Sequence, residues 1–244
     1  MRADVLSWVI PARDEARSLP RLFNEISEIS LKNLEVIVVD DGSKDFSYNV
    51  LITIAKSFPN LKIIRFKLPR GKWAALEAGF KLASGEIIIT SDSDLQDDPK
   101  EVLKLLNKFQ QGYDLVSGWR KNRKDPLYKV WISNIGNRFV SLVSGYRFKD
   151  LNSPFKVYRR EVFESLPSHG SLLRFSALFA KKMGYKVDEV PVYHRSRLYG
   201  KSKFGFVKYI RIFYDLVLVF LLFSGSGRLA KALSAKKEKV RMPR

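Results

Sequence analysis

Two short acidic stretches supply the reactive groups of this sequence. The first is Val38-Val39-Asp40-Asp41-Gly42-Ser43, where an apolar run stops on two acids and a turn. Carboxylates at the end of a strand stand where the donors of a nucleotide's base and ribose are met in doubly wound folds. The second, Ile87-Ile88-Ile89-Thr90-Ser91-Asp92-Ser93-Asp94-Leu95-Gln96, ends another apolar run on acids two residues apart. On an irregular loop, carboxylates at that spacing can both turn toward one hard cation, which suits Mg2+ or Mn2+ bridging a diphosphate. Such a cation neutralises the charge that develops on a departing nucleoside diphosphate. Taken alone, either stretch is equally a solvated turn held by Asx and Ser hydrogen bonds. Asp98 is read as a helix cap, because Pro99 and Glu101 take the first and third helical positions after it. Asp94 is read as a metal ligand.

The elements that must position these acids alternate between strand and helix. Short runs rich in β-branched residues at Leu6–Ile10, Leu34–Val39, Leu61–Phe66, Glu86–Thr90 and Asp114–Ser117 predict strands. Ser18 to Ile29 places Leu19, Leu22, Phe23, Ile26 and Ile29 at helical spacing behind a serine cap, and Trp73 to Ala83 repeats the arrangement. Leu103, Leu106 and Phe109 supply the expected buried face of the helix that Asp98 opens. A helical pattern from Tyr128 to Ser144, a strand at Phe155–Tyr158 and a helix from Ser171 to Met183 complete the reading. The alternation predicts an α/β fold: a mostly parallel, Rossmann-like sheet flanked by helices, with ligand loops at the strand C-termini.

The 244 residues suffice for one sizeable core, and 45% hydrophobic with 28% charged residues is the composition of a folded protein. A formal net charge of +19 predicts attraction to nucleic acid, anionic headgroups or phosphorylated small molecules. The excess gathers toward the C-terminus, with thirteen Lys or Arg from Arg195 onward against only Asp215 and Glu238. Without cysteine there are no disulfides and no thiolate metal sites, which is compatible with a reducing compartment. The apolar run Val5–Ile10 is too short for a signal peptide and reads as a first strand.

In order and spacing, five stretches resemble the GT-A fold of family 2 glycosyltransferases. They are Val9-Ile10-Pro11 with Asp14-Glu15, Val39 to Ser43, Gly71-Lys72-Trp73-Ala74-Ala75-Leu76, Asp92 to Gln96, and Arg197-Leu198-Tyr199-Gly200-Lys201-Ser202-Lys203. Within the family the chain is most similar to the dolichyl-phosphate mannose synthase and polyprenyl-phosphate glycosyltransferase branch. The resemblance implies a metal-dependent, inverting hexosyltransferase that moves mannose or glucose from GDP-mannose or UDP-glucose onto dolichyl or polyprenyl phosphate. It implies that Asp92, Asp94 and Gln96 hold Mg2+ or Mn2+. Pro11, Asp14, Glu15, Asp40, Asp41, Lys72 and Asp92 then belong to the nucleotide-sugar pocket; the residues do not choose between Asp40 and Asp41 for the base. Arg197, Lys201 and Lys203 would close over the pyrophosphate, while Arg120, Lys129 and Ser133 align with positions that hold the acceptor phosphate. Lys129 stands where the family often has Arg, and one ammonium gives up bidentate geometry. In Asp150-Leu151-Asn152-Ser153-Pro154-Phe155-Lys156, Pro154 and Lys156 replace the Gly and Arg of many relatives, and Pro removes a backbone donor. His169 and His194 sit in no base-like constellation and are read as structural or as residues that support the site from behind.

These motifs place a catalytic domain at residues 1–203 and an amphipathic membrane-interface helix with a basic tail at 204–244. From Phe204 to Phe223 the chain is apolar, yet Lys208, Arg211 and Asp215 interrupt it, leaving less than the roughly 20 residues a spanning helix needs. Those charges share one helical stripe opposite Phe206, Tyr209, Phe213, Val217 and Phe220, as in a helix lying among headgroups. The same pattern also fits a helix packed on the domain or on another subunit. The expected setting is the cytoplasmic face of a membrane, bound peripherally or through a separate anchor protein. Two other functions compete. A family 2 enzyme acting on a polysaccharide or protein glycan needs a carboxylate base, but Arg174 and Phe175 stand in the Ser171–Phe175 region. A nucleic-acid binder would use the charge, but no helix-turn-helix, zinc or RNA-recognition signature accompanies it.

Overall fold

The computed structural model describes residues 5–121, 127–166 and 170–199, with Tyr214, Val217, Val219 and Phe220; the side chains of 127–130, 132–134 and 170–171 are outside that description. Its strands are β1 (Leu6–Ala12), β2 (Leu34–Asp40), β3 (Leu61–Arg65), β4 (Ile87–Thr90), β5 (Leu115–Arg120), β6 (Lys156–Arg159) and β7 (Val187–Val192). The helices are α1 (Leu19–Ser27), α2 (Ser47–Ala55), α3 (Lys72–Leu82), α4 (Val102–Phe109), α5 (Leu127–Ser144), α6 (Arg160–Ser165) and α7 (Ser176–Lys182). Short 3-10 turns at Pro99–Glu101 and Gly170–Phe175 lead into α4 and α7.

The seven strands form one sheet in the order β3-β2-β1-β4-β6-β5-β7. Neighbours run parallel except where β6 lies antiparallel between β4 and β5. This is the α/β, mostly parallel sheet that the alternation predicts. β2 is buried along its whole length, as a central parallel strand covered on both faces should be.

Alternation along the strands divides the core in two. Trp8, Ile10, Val36 and Val38 join α1 and α4 in one apolar layer, while Val9, Ile37 and Val39 meet α3, α6 and α7 in the other. A fully buried Leu or Ile contributes about 1.5–3 kcal/mol, so these layers dominate stability. α3 lies close against the sheet at Gly79, where a Cβ would stand 2.4 Å from Val9 Cγ1 and 3.1 Å from Val39 Cγ2.

Several sequence expectations change in detail. On α4 the buried residues are Val102, Leu105, Leu106 and Phe109, and Leu103 is exposed, because the intervening 3-10 turn rotates the helix face. Ser18 does not cap α1 with its side chain; its hydroxyl donates to Glu15 Oε2 at 2.7 Å. The predicted helix from Ser171 is a 3-10 turn followed by α7. α2, α6 and β7 were not anticipated. The β-branched residues of α2 conceal its helical state, and Pro191 is tolerated in β7 because that strand is at the sheet edge. In the C-terminal segment Val219 is buried with the core and Phe220 lies near Phe139 of α5, ring centroids 6.3 Å apart. Nearly all of the remaining segment assigned to a membrane-interface helix lies outside the described residues.

Candidate active site

The acidic turn that follows β4 is fastened to β1 from two sides. Trp8 Nε1 donates to Ser91 Oγ at 2.8 Å, and Ser93 Oγ donates to the carbonyl of Pro11 at 3.0 Å. Between the acids and Gln96, Leu95 is fully buried with φ +62°, a left-handed conformation that a branched side chain adopts only where packing imposes it. The Gln96 N–H then donates to Asp94 Oδ1 at 3.1 Å. Asp94 is enclosed and Asp92 is about one-third exposed. Burial pushes the Asp94 carboxyl up to about 6, and the charge of Asp92 adds to the effect while Arg197 opposes it.

Each acid is matched with a cation from elsewhere in the chain. Lys72, the first residue of α3, bonds Asp92 through its ammonium. Arg197 bonds Asp94 through its guanidinium and reaches Glu15 Oε1 at 3.7 Å. The segment after β7 that carries Arg197 is itself tied to the turn. The Arg195 N–H donates to the Gln96 carbonyl at 2.7 Å, and the Arg195 guanidinium pairs with Glu25 at 2.7 Å and Asp98 at 2.6 Å. Asp98 also accepts from the Lys100 N–H at 3.0 Å, the capping role expected of it. His194 is buried in an isolated bridge with Asp97.

A second group of residues joins the loops after β1 and β2. Asp40 is wholly buried, accepting from the Ser43 N–H at 2.9 Å and lying 3.4 Å from Arg65 Nε. Asp41 accepts from the N–H groups of Arg70 and Gly71 at 2.6 and 3.0 Å, which fixes the approach to α3. Gly42 has φ +65°, and a Cβ there would fall 2.7 Å from the Pro69 nitrogen, so this turn packs directly on the loop before α3. Asp14 also has a left-handed backbone, donates its N–H to Ser43 Oγ at 2.8 Å and accepts from the Lys44 N–H at 2.7 Å. The Glu15 N–H donates to Ser47 Oγ at 2.7 Å. Pro11, Asp14, Glu15, Asp40 and Asp41 are thus brought to one end of the sheet, beside Lys72, Asp92, Asp94 and Arg197.

Arg120 ends β5 at the same end of the sheet and is held bidentately by Asp150, Nε to Oδ2 at 2.6 Å and Nη2 to Oδ1 at 3.0 Å. Glu189 supports this pair by accepting from the N–H groups of Lys149 and Asp150 at 2.7 and 2.9 Å. Lys129 and Ser133 fall on α5, but their side chains are outside the described residues, as are Lys201 and Lys203 altogether. Two buried groups were missed by role. Asp97 has both carboxyl oxygens enclosed without a hydrogen-bond partner among the described residues, and burial pushes it up to about 7, with Asp92 adding to the effect. Its only sequence signal is the acidic run itself. Lys156, visible in sequence only as a departure from a motif, is 2% exposed.

Asp92, Asp94 and the Gln96 side-chain carbonyl offer hard oxygen donors suited to Mg2+ or Mn2+. Among the described residues no three His, Cys, Asp or Glu side chains surround a single point. The donors present therefore fit a cation that completes its shell with diphosphate and water oxygens, as Mg2+ commonly does.

Comparisons with known proteins agree with this architecture. Over 217 residues the chain is 34% identical to an undecaprenyl-phosphate 4-deoxy-4-formamido-L-arabinose transferase of Enterobacter sp. (strain 638), with 87% of this chain and 66% of the relative covered. The chain thus spans a little under two thirds of that relative. Crystal structures of glucosyl-3-phosphoglycerate synthase from Mycobacterium tuberculosis share the fold at 18% identity. The complex with Mn2+, UDP and phosphoglyceric acid has a TM-score of 0.72, covering 91% of this chain and 79% of that one. The complex with Mn2+ and UDP-glucose has a TM-score of 0.69, covering 90% and 78%. The sheet and its flanking helices are those of the GT-A fold. A family model described as glycosyl transferase family 2 matches residues 7–166, from β1 through α6 and including both acidic turns; the chain belongs to that family.

Proposed function

We propose that this protein is an inverting hexosyltransferase that moves mannose or glucose from a nucleotide-sugar to a polyprenyl phosphate at a membrane surface. One spatial relation carries the reading. The acidic turn follows β4 and Arg120 ends β5, and only β6 separates these strands, so a cation site and an anion site would lie at the same end of the sheet on strands about 10 Å apart. The polyprenyl-phosphate acceptor named for the Enterobacter relative supports the assignment of the anion site.

On this reading Asp40, Asp41, Asp14 and Glu15 line the nucleotide pocket, with Pro11 at the end of β1. Asp92, Asp94 and Gln96 hold Mg2+ or Mn2+, the former pair also facing the donor. When bound, that ion lowers the charge on the departing diphosphate. Lys72, Arg197 and Lys203 bind the diphosphate, and Arg120, Lys129 and Ser133 orient the acceptor. A phosphate oxygen attacks the anomeric carbon while the bond to the diphosphate breaks on the opposite face, and the electron pair leaves with the diphosphate. The acceptor is already anionic at neutral pH, so orientation replaces proton abstraction by a base.

The outer face of α5 supports a membrane partner. Trp131, Ile135 and Leu142 are exposed along it, bordering an open cavity of about 1050 Å3 that Arg138, Arg147 and Lys149 also line. Exposed apolar residues rimmed by cations suit a headgroup layer. No helix among the described residues is long and apolar enough to cross a membrane. Residues 204–244 would add the interface helix and basic tail, with the protein peripheral on the cytoplasmic face.

The decisive assay combines purified protein, Mn2+ and a short-chain polyprenyl phosphate with GDP-mannose or UDP-glucose in turn. Formation of a β-linked glycolipid from an α-linked donor is expected. Transfer only to sugar hydroxyls, with none to the phosphate, overturns the reading.

A further inference from the structure

Beneath the site lies a cation that the reading above does not use. Lys156 opens β6, opposite Thr90 of β4 and Ser117 of β5, and is 2% exposed. Its ammonium makes no hydrogen bond or ion pair among the described residues, whereas Lys72 is bonded to Asp92 and Arg120 to Asp150. Lys156 lines a small, partly open cavity of about 20 Å3 together with Lys72, Trp73, Thr90, Asn152 and Ser153. That volume admits one water-sized group. Ser153 Oγ is also buried there without a hydrogen-bond partner among the described residues.

A largely buried charge without an acceptor is costly, so the site gains when an acceptor oxygen arrives. Burial drives the Lys156 ammonium down to about 7; Lys72 and Arg120 push in the same direction, and Asp150 and Glu189 oppose. Lys72, which shares the cavity with Lys156, is bonded to Asp92 of the acidic turn, and Asp150 holds Arg120, so Lys156 stands near both groups.

We infer that Lys156 and Ser153 form a subsite for one anionic oxygen of the acceptor phosphate, with the rest of that phosphate remaining in the cleft beside Arg120. This rests on the lipid-phosphate reading and assigns it a further acceptor-binding residue. The cavity admits a single oxygen, so the remaining phosphate oxygens would stay in the cleft outside it. Lys72, assigned above to the donor diphosphate, lines the same cavity, so the donor titration in the test separates the two occupants.

The test compares unaltered protein with Lys156→Met, Lys156→Arg and Ser153→Ala. The expected result for Lys156→Met is a KM for short-chain polyprenyl phosphate raised by about tenfold or more. UDP binding in Mn2+, measured by calorimetry, stays within about twofold, and Lys156→Arg recovers most of the acceptor affinity. Ser153→Ala gives a smaller rise, which keeps the proposal testable if the lysine variants do not fold. Calorimetric titration with orthophosphate supplies a reading independent of turnover: binding should be present in the unaltered protein and lost in Lys156→Met. An unchanged acceptor KM and orthophosphate affinity overturn the inference, as does a KM rise confined to a donor with a carboxylate sugar such as UDP-glucuronate. If the unaltered protein transfers nothing to polyprenyl phosphate, the parent reading fails, while loss of orthophosphate binding in Lys156→Met still supports the anion subsite.

Discussion

Arg120 and Asp150 form a side-on pair at the end of β5, with both side chains nearly enclosed and two parallel hydrogen bonds of 2.6 and 3.0 Å. The pair presents the guanidinium in a fixed plane, which suits recognition of a phosphate. Removing the carboxylate strands a buried cation. Asp150→Ala is therefore expected to cost about 3–5 kcal/mol of stability, read as a lower midpoint in urea unfolding. Arg120→Met, which removes the other partner and fills its volume, should raise the acceptor KM more than the donor KM.

Asp94 has hydrogen bonds from Gln96 and Arg197, and its neighbour Asp92 adds a second negative oxygen donor. Asp94→Asn keeps the shape but removes the charge that would hold the ion. Loss of several kcal/mol of leaving-group stabilisation lowers kcat by about a thousandfold or more. Circular dichroism of the variant should match the unaltered protein, and Mn2+ binding by electron paramagnetic resonance should be lost.

Arg197 pairs with Asp94 and Glu15, so a metal ion held by Asp94 would compete with it for the same oxygens. Arg197→Ala is expected to tighten Mn2+ binding in the absence of nucleotide by several-fold. It should also weaken UDP binding, because the guanidinium proposed to meet the diphosphate is gone. The opposite signs, measured by calorimetry on one preparation, separate this exchange from simple damage to the site.

Much of the frame could be read from sequence because its signals are local. β1 to β4 follow from β-branched runs, and α1 and α3 from helical spacing. The acidic turn was also visible, since Asp92, Asp94 and Gln96 lie within five residues. What could not be read depends on distant chain segments meeting. Arg197 reaches Asp94 across 103 positions, and Asp150 reaches Arg120 across 30. Lys156 gives no local hint of burial, because its enclosure comes from β6 being inserted between β4 and β5.

Gly79 sets the distance of α3 from the sheet. Gly79→Ala places a methyl 2.4 Å from Val9 Cγ1, a clash that backbone movement must relieve. A cost of about 1–3 kcal/mol is expected, together with weaker donor binding, because α3 carries Lys72 at its first position. Thermal unfolding and UDP titration check the two effects separately.

Glu35 of β2 couples the sheet to the loop before β4. Burial pushes its carboxyl up, but hydrogen bonds from Lys62, Ser7 and Ser84 prevail and hold it down at about 2, against an ordinary 4.5. A depressed carboxyl stabilises the fold above its unfolded value and loses that contribution as pH falls toward its folded value. Glu35→Gln should therefore lower the Tm at pH 7, and its difference from the unaltered protein should close between pH 4.5 and 2.

Because Gly42 leaves no room for a side chain against Leu68 and Pro69, the turn after β2 and the loop before α3 are shaped as a matched cassette. A chimera that imports one half from a relative with a bulkier residue at either position would open the joint and displace the Asp41 bonds to Arg70 and Gly71. If this turn lines the nucleotide pocket as proposed, grafting a different nucleotide preference onto the scaffold requires residues 40–43 and 68–71 to travel together.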